Sequence, residues 1–179
     1  MKITGARGHQ LVLGGLTLFV LVWHLWAILV DQRHGGSDTF VGYTLRLEHA
    51  LAAGEVWGWL QGLGPKGPLA PVLALPLLLL TGKAPFAIHL VTVLCHAALM
   101  LQSADLAARL TGRRSAGLWA AVIVATHPLL FGVARIAYHD ALAAVLLLAA
   151  VRLMLRLELR RARPALLLGL VVGLGLLVK

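Results

Sequence analysis

The chain lacks the motifs of nucleotide-driven and nucleophile-based chemistry. It has no glycine-rich phosphate loop, no nucleophile elbow and no CxxC pair, so ATP-driven chemistry is not supported. Its single cysteine, Cys95, lies inside an apolar stretch and is interpreted as a small buried hydrophobe, which excludes a disulfide framework. His89 and His96 share a helix face, but no third ligand accompanies them at useful spacing. Interhelical hydrogen bonding is therefore the predicted role of these histidines.

What the chain has in abundance is apolar sequence. Apolar residues make up 60% of it and its mean hydropathy is +0.88, against the roughly 45–50% apolar usage of soluble domains. The net charge of +9 is held in short loops between apolar runs, where Lys and Arg mark the cytoplasmic side of a membrane. We therefore predict an integral membrane protein and no nucleic-acid partner.

The apolar runs predict an all-α, polytopic membrane protein with about five transmembrane helices, one short re-entrant or interfacial segment and an amphipathic outer loop. No repeat or linker divides residues 1–179, which are predicted to form a single module. The six apolar runs are Leu11–Val30, Leu69–Leu80, Ala84–Ala108, Ala116–Val133, Ala141–Leu157 and Ala165–Val178.

Arginine placement predicts the orientation of these runs. Two inside loops are indicated, one containing Arg109, Arg113 and Arg114 and the other containing five arginines between residues 152 and 163. The N-terminus is then cytoplasmic, and the first outer loop spans residues 31–66. This orientation holds only if Leu69–Leu80 does not cross the membrane. An apolar run of about a dozen residues is more often interfacial or re-entrant than spanning. This run also contains two prolines. A short true span is the alternative.

The first outer loop is too polar to span but has a helical pattern. Phe40, Tyr43, Leu47, Leu51 and Trp57 recur among charged residues, approximating one apolar stripe. Gly54 interrupts the stripe, so two short helices are predicted in place of one, lying in the headgroup layer.

Two charged residues in or after this loop are candidates for chemistry. Asp38 can act as a general base or ligate a divalent cation, although an Asp before an amphipathic run also serves as a helix N-cap. Lys66 precedes Gly67-Pro68, and Pro68 suits a first helical turn, which would hold the Lys66 ammonium where it could meet a phosphate. An interfacial lysine that snorkels is the alternative.

Three further charged residues are predicted on the same side. Arg135 and Asp140 flank a turn, and an arginine near a carboxylate keeps that carboxylate ionised. The alternative is a surface ion pair between Arg135 and Asp140 that only orients these two side chains. Lys179 follows Gly169, Gly173 and Gly175, which are expected to permit close helix packing. Lys179 could reach Asp140 or be solvated.

The order of these motifs resembles the N-terminal part of the GT-C superfamily of polytopic glycosyltransferases, such as protein mannosyltransferases and lipid A aminoarabinose transferases. The matching pieces are Asp38, Lys66-Gly67-Pro68-Leu69, Arg135–Asp140 and the helix ending Gly173-Leu174-Gly175-Leu176-Leu177-Val178-Lys179. The resemblance implies a bacterial inner (plasma) membrane protein that uses a polyprenyl-phosphate-linked sugar and a lipid or protein acceptor.

By this resemblance Asp38 and Asp140 are the catalytic carboxylates, and Lys66, Arg135 and Lys179 bind the donor phosphate. No specific cofactor is predicted. If a divalent cation binds, Asp38 and Asp140 are the residues that would hold it. Thr39 and Gly67 depart from the family pattern. The C-terminal remainder of the family fold is absent from the chain, so a truncated or split enzyme without independent activity is expected.

Two other functions stay open at this point. One is a non-catalytic membrane subunit or scaffold that packs against a partner membrane protein, with its acids serving as caps and ion pairs. It predicts that the carboxylates of Asp38 and Asp140 lie more than roughly 15 Å apart, beyond hydrogen-bond reach of one site. The other is a transporter fragment, which would need paired broken helices where only Leu69–Leu80 qualifies.

Overall fold

The structure, a computed structural model, describes residues 6–30, 38–63, 67–129, 140–156 and 162–178. Every regular element in these ranges is an α-helix, which confirms the predicted all-α fold class. The helices are α1 (Ala6–Val30), α2 (Asp38–Ala53), α3 (Val56–Gln61), α4 (Leu69–Thr81), α5 (Ala84–Thr111), α6 (Arg114–Thr126), α7 (Asp140–Arg156) and α8 (Ala162–Leu176).

Two of these helices contain segments long and apolar enough to cross a membrane, Gly8–Val30 in α1 and Pro85–Thr111 in α5. At about 1.5 Å per residue each exceeds the roughly 30 Å hydrocarbon core. The helices α4, α6 and α8 are apolar but have only 13, 13 and 15 residues. The predicted count of about five spans therefore stays a prediction.

The long helix α5 forms the centre of the bundle, and two buried clusters occupy its two halves. Cluster 1 joins the first half of α5 to α2, α4, α7 and the end of α8; it comprises Phe40, Leu69, Ala70, Ala74, Leu78, Ala87, Ile88, Val91, Cys95, Leu142 and Val178. Cluster 2 joins the second half to α1 and α6; it comprises Val20, Met100, Ala104, Ala121 and Ala125. Cys95 is buried in cluster 1, as the sequence predicts.

Buried histidines link three helices at the middle of α5. His24 Nε2 of α1 lies 3.0 Å from His96 Nδ1 of α5, and His96 Nε2 lies 2.9 Å from the backbone oxygen of Val124 in α6. Both side chains are buried. The predicted interhelical role is therefore confirmed for His96. Such hydrogen bonds are typically worth about 0.6 kcal/mol in membrane bundles, so they specify which faces meet more than they stabilise the fold.

An ion-pair network joins α5 and α7 at one end of the bundle. Asp105 accepts hydrogen bonds from Arg109 Nε at 2.8 Å and from Arg152 Nε and Nη2 at 3.1 and 2.5 Å. Arg109 and Arg152 belong to the two arginine-rich stretches that the sequence predicts on the same side. The contact brings these stretches to the same end of the bundle, whichever side of the membrane that end faces.

This contact also relates positions along α5 and α7. Asp140 lies twelve residues before Arg152, and Val93 lies twelve residues before Asp105. The two helices run in the same direction, since Leu142 packs in cluster 1 with Val91 and Cys95. Asp140 therefore lies at about the level of Val93, roughly 14 Å along the axis from the start of α5.

The short helix α4 accompanies only the first half of α5. It ends at Gly82, whose φ of 65° reverses the chain, and α5 begins two residues later, so the two helices are antiparallel. Its buried residues share cluster 1 with α5 residues 87 to 95. Thirteen residues give a length of about 20 Å, shorter than a bilayer core. This geometry agrees with the predicted partial insertion, whose depth stays a prediction.

The predicted division of the outer loop is confirmed. The segment forms two helices, α2 and α3. Gly54 between them has a φ of 75°, a conformation that favours glycine. The apolar run Ala116–Val133 does not form one regular helix. Helix α6 ends at Thr126, and His127 adopts an extended ψ of 120°, because proline disfavours helical conformation in the residue before it.

We expect Asp105→Asn to lower the free energy of unfolding by about 1–2 kcal/mol, because it weakens the tie between α5 and α7 and leaves the half-buried Arg152 without its charge partner. Denaturant titration of the full chain in detergent micelles, followed by helical circular dichroism, measures the change. The matched variant Arg109→Gln removes only the more exposed i,i+4 pair and is expected to cost about 0.5 kcal/mol or less. Equal losses in both variants would contradict the cross-helix role.

Candidate functional site

The five predicted site residues fall at helix ends or outside the described part of the chain. Asp38 is the first residue of α2, although its side chain lies outside the described part. Asp140 is the exposed first residue of α7. Lys66, Arg135 and Lys179 lie outside the described residues. The carboxylate separation that would discriminate the non-catalytic alternative, and the proposed Arg135–Asp140 pairing, therefore stay predictions.

The described neighbours of four of these residues come together in cluster 1. Phe40 lies two residues after Asp38, and Leu69 lies three after Lys66. Leu142 lies two residues after Asp140, and Val178 immediately precedes Lys179. All four neighbours are buried in cluster 1. The cluster thus gathers the start of α2, the start of α4, the start of α7 and the end of α8 from distant parts of the chain.

The closest of these approaches is a backbone contact between the start of α4 and the end of α8. The N–H of Leu69 donates a hydrogen bond to the carbonyl oxygen of Leu177 at 3.1 Å. A Cβ atom at Gly67 would lie 2.1 Å from the same oxygen, closer than any real side chain approaches. Gly67, which departs from the Lys-Pro-Pro-Leu-like pattern, is therefore required by this close approach.

The glycines of α8 have a different role from the one expected. Gly169, Gly173 and Gly175 were expected to permit close helix packing, but a Cβ at any of them would meet no atom within 4 Å in the described structure. The close approach in the bundle instead occurs at Gly117, where a Cβ would lie 2.6 Å from the backbone oxygen of Ala104. Glycine content alone did not distinguish lipid-facing positions from packed ones.

The site region is recessed relative to the turn between α4 and α5. Asp140 lies near the level of Val93, and α4 runs outward from that level to Gly82. The start of α7, where Asp140 lies, therefore packs beside the first half of α5 and not at its end.

Residues 65–179 match the model of the dolichyl-phosphate-mannose-protein mannosyltransferase family. The chain belongs to this family. The matched region begins one residue before Lys66 and contains Arg135, Asp140 and Lys179; Asp38 precedes it. No curated protein and no solved structure matched the chain significantly.

Family membership confirms the predicted resemblance to GT-C glycosyltransferases. The family consists of integral membrane glycosyltransferases that in general use a polyprenyl-phosphate sugar donor and a protein or lipid acceptor. This agrees with the apolar segments of α1 and α5 and with the many apolar side chains that face outward, such as Leu11, Leu80 and Leu176. The outward apolar surface is explained by lipid, which removes the cost of exposing it to water.

Two polar contacts of the bundle were not predicted from the sequence. His24 was not singled out, and Asp105 was not paired with Arg152. The signal for both was present, because a His or Asp within a long apolar helix is expected to find a polar partner. Among the residues that the structure describes, no three metal-ligating side chains come together.

We expect Gly67→Ala to lower the free energy of unfolding by about 1–3 kcal/mol or to displace α8, because the new methyl group would overlap the Leu177 backbone, which cannot rotate away. Thermal unfolding in detergent measures the stability. Gly173→Ala is the matched control; it adds the same methyl group where no atom lies within 4 Å, and it should be neutral or slightly stabilising in a helix. A neutral Gly67→Ala variant would contradict the close approach.

Proposed function

We propose that the chain is the N-terminal module of a membrane glycosyltransferase that moves a sugar from a polyprenyl-phosphate donor to a lipid or protein acceptor on the outer side of the bacterial plasma membrane. The observation that carries the proposal is the convergence in cluster 1 of the helix ends next to Asp38, Lys66, Asp140 and Lys179. Family membership supports the reaction class.

In the proposed reaction the acceptor oxygen or nitrogen attacks the anomeric carbon of the sugar. The bond between that carbon and the phosphate oxygen breaks, and the lipid phosphate leaves with both bonding electrons. Asp38 takes the proton of the acceptor as general base. The family implies in-line attack with inversion at the anomeric carbon.

The basic residues are proposed to hold the donor. Lys66 and Lys179 would face the donor phosphate as point charges, and Arg135 would bind it through its planar guanidinium. Asp140, at the start of α7, would complete the pocket beside Arg135, which favours the ionised carboxylate. The hydrogen bond between Leu69 and Leu177 supports a shared phosphate site, because it ties the segment that follows Lys66 to the segment that precedes Lys179.

A non-catalytic subunit is the second candidate, and the surface of α8 favours it. No residue of α8 from Ala162 to Leu176 is buried within the chain. A partner membrane protein could cover this face, and the acids would then act only in capping and ion pairing.

We expect Asp38→Asn to lower sugar transfer about 10²–10⁴-fold, because an amide cannot accept the acceptor's proton. Transfer to the acceptor is measured in membranes from cells that carry the variant in the natural gene. Asp31→Asn, in the same loop, is the matched control and should retain activity. Lys66→Met should instead weaken donor binding and raise the donor concentration needed for half-maximal transfer.

Retained transfer in Asp38→Asn would remove the assigned base. If Asp38→Asn, Lys66→Met and Asp31→Asn all keep full activity while disruption of the gene abolishes assembly of a partner protein, the subunit candidate is favoured.

The proposed orientation predicts opposite labelling of the two ends of the bundle. In a Cys95→Ala background, Ala53→Cys should react with a membrane-impermeant maleimide on intact cells. Thr111→Cys should react only after permeabilisation, because it lies at the arginine-rich end. Both positions are exposed. Labelling of both from outside, or the reverse pattern, would contradict a cytoplasmic N-terminus and the predicted number of crossings.

A further inference from the structure

A pocket with charged side chains in its lining lies in the α2–α3 hairpin. It has a volume of about 320 Å³ and is lined on one side by α2 and on the other by α3 and the turn between them. The lining side chains that carry charge or an aromatic ring are Tyr43, Arg46, His49, Glu55 and Trp59. We call this cavity the hairpin pocket. None of its residues is used in the proposed transfer reaction.

The hairpin holds the two walls of the pocket in a defined arrangement. The indole N–H of Trp59 donates a hydrogen bond to the Tyr43 backbone oxygen at 2.9 Å, and the N–H of Glu55 donates one to the Ala50 oxygen at 2.8 Å. Trp59 is also buried in a third cluster with Leu47 and Leu63. The packed hairpin therefore holds the two walls of the pocket in place.

The charges in the pocket are of both signs and are not paired with each other. Arg46, His49 and Glu55 are exposed. Within the described part of the chain, none of the three has an ion pair or a side-chain hydrogen bond. A guanidinium and a carboxylate that face one cavity without neutralising each other are suited to a ligand that carries an anion and a cation together.

The apolar residues around the pocket place such a ligand in a membrane surface. Trp57 is 71% exposed, and Leu51 and Leu60 in the same hairpin are also exposed. An exposed Trp with aliphatic neighbours on an amphipathic hairpin is typical of the headgroup layer. Lipid headgroups are the molecules present there at high concentration.

From these observations we propose that the hairpin pocket binds the headgroup of a zwitterionic aminophospholipid, a phosphate linked to a primary ammonium. Arg46, with His49 beside it, binds the phosphate. Glu55 accepts hydrogen bonds from the ammonium, and the Trp59 and Tyr43 side chains form the floor. The acyl chains lie along the exposed Trp57, Leu51 and Leu60. The inference is independent of the proposed transfer reaction, because it uses none of its residues.

Native mass spectrometry of the full chain in detergent tests the proposal, with short-chain phosphatidylethanolamine as the probe. We expect Arg46→Gln and Glu55→Gln each to weaken binding about tenfold, the loss of one charge-assisted hydrogen bond. The matched controls, Arg113→Gln and Glu48→Gln, remove like charges outside the pocket and should bind as the natural chain does. Circular dichroism verifies that every variant is folded.

A steric variant tests the pocket without changing charge. Gly58 lines the pocket, and a Cβ there would meet no atom within 4 Å. Gly58→Leu should therefore fold, fill the cavity and reduce binding of the probe at least as much as Arg46→Gln. Gly42→Leu, in α2 outside the pocket and with equally open space at its Cβ, is the matched control.

Three results would overturn the proposal. The first is unchanged binding in Arg46→Gln or in Gly58→Leu. The second is binding of phosphatidylglycerol as tight as that of phosphatidylethanolamine, together with unchanged binding in Glu55→Gln. That result would show a site for anionic lipids that does not recognise the headgroup ammonium. The third is binding of soluble O-phosphoethanolamine as tight as that of the lipid, which would show that the membrane is not the source of the ligand.

Discussion

Helices α1, α2, α4, α6 and α7 all pack against α5, and the two halves of this helix contact different partners. Its first half carries cluster 1, with α2, α4, α7 and the end of α8, and its second half carries cluster 2, with α1 and α6. The histidine contact lies between the two clusters, where α1 and α6 meet α5. In a membrane the hydrophobic effect does not drive helices together, so these close apolar and polar contacts must supply the specificity.

The polar groups are segregated along α5. At one end Asp105 holds two arginines, which neutralises part of the positive charge that the arginine-rich stretches bring together. Along the first half of α5, the helix ends next to Asp38, Lys66, Asp140 and Lys179 surround a buried apolar cluster. Cluster 1 therefore forms the apolar base of the candidate site. The candidate charged residues belong to the chain segments that adjoin this cluster. A sugar phosphate with a long hydrocarbon chain has the same division between a charged head and an apolar tail.

The features that sequence predicted well are those set by local pattern. The helical class, the two helices on either side of Gly54, the shortness of the 69–80 segment and the family itself all follow from periodicity, glycine and proline placement, or motif order. The contacts between distant segments were not predictable in this way. Nothing local indicates that Gly67 rather than Gly173 meets a backbone oxygen, or that His24 faces His96. The chemical roles of Asp38 and Lys66 rest on the resemblance, because the same residues could cap a helix or snorkel.

The backbone hydrogen bond between Leu69 and Leu177 joins two chain segments that are more than a hundred residues apart. Since Gly67 leaves no space between them, α8 cannot slide along its axis without pulling the start of α4 with it. A displacement of α8 caused by lipid or by a neighbouring helix would therefore be transmitted through the backbone to the start of α4.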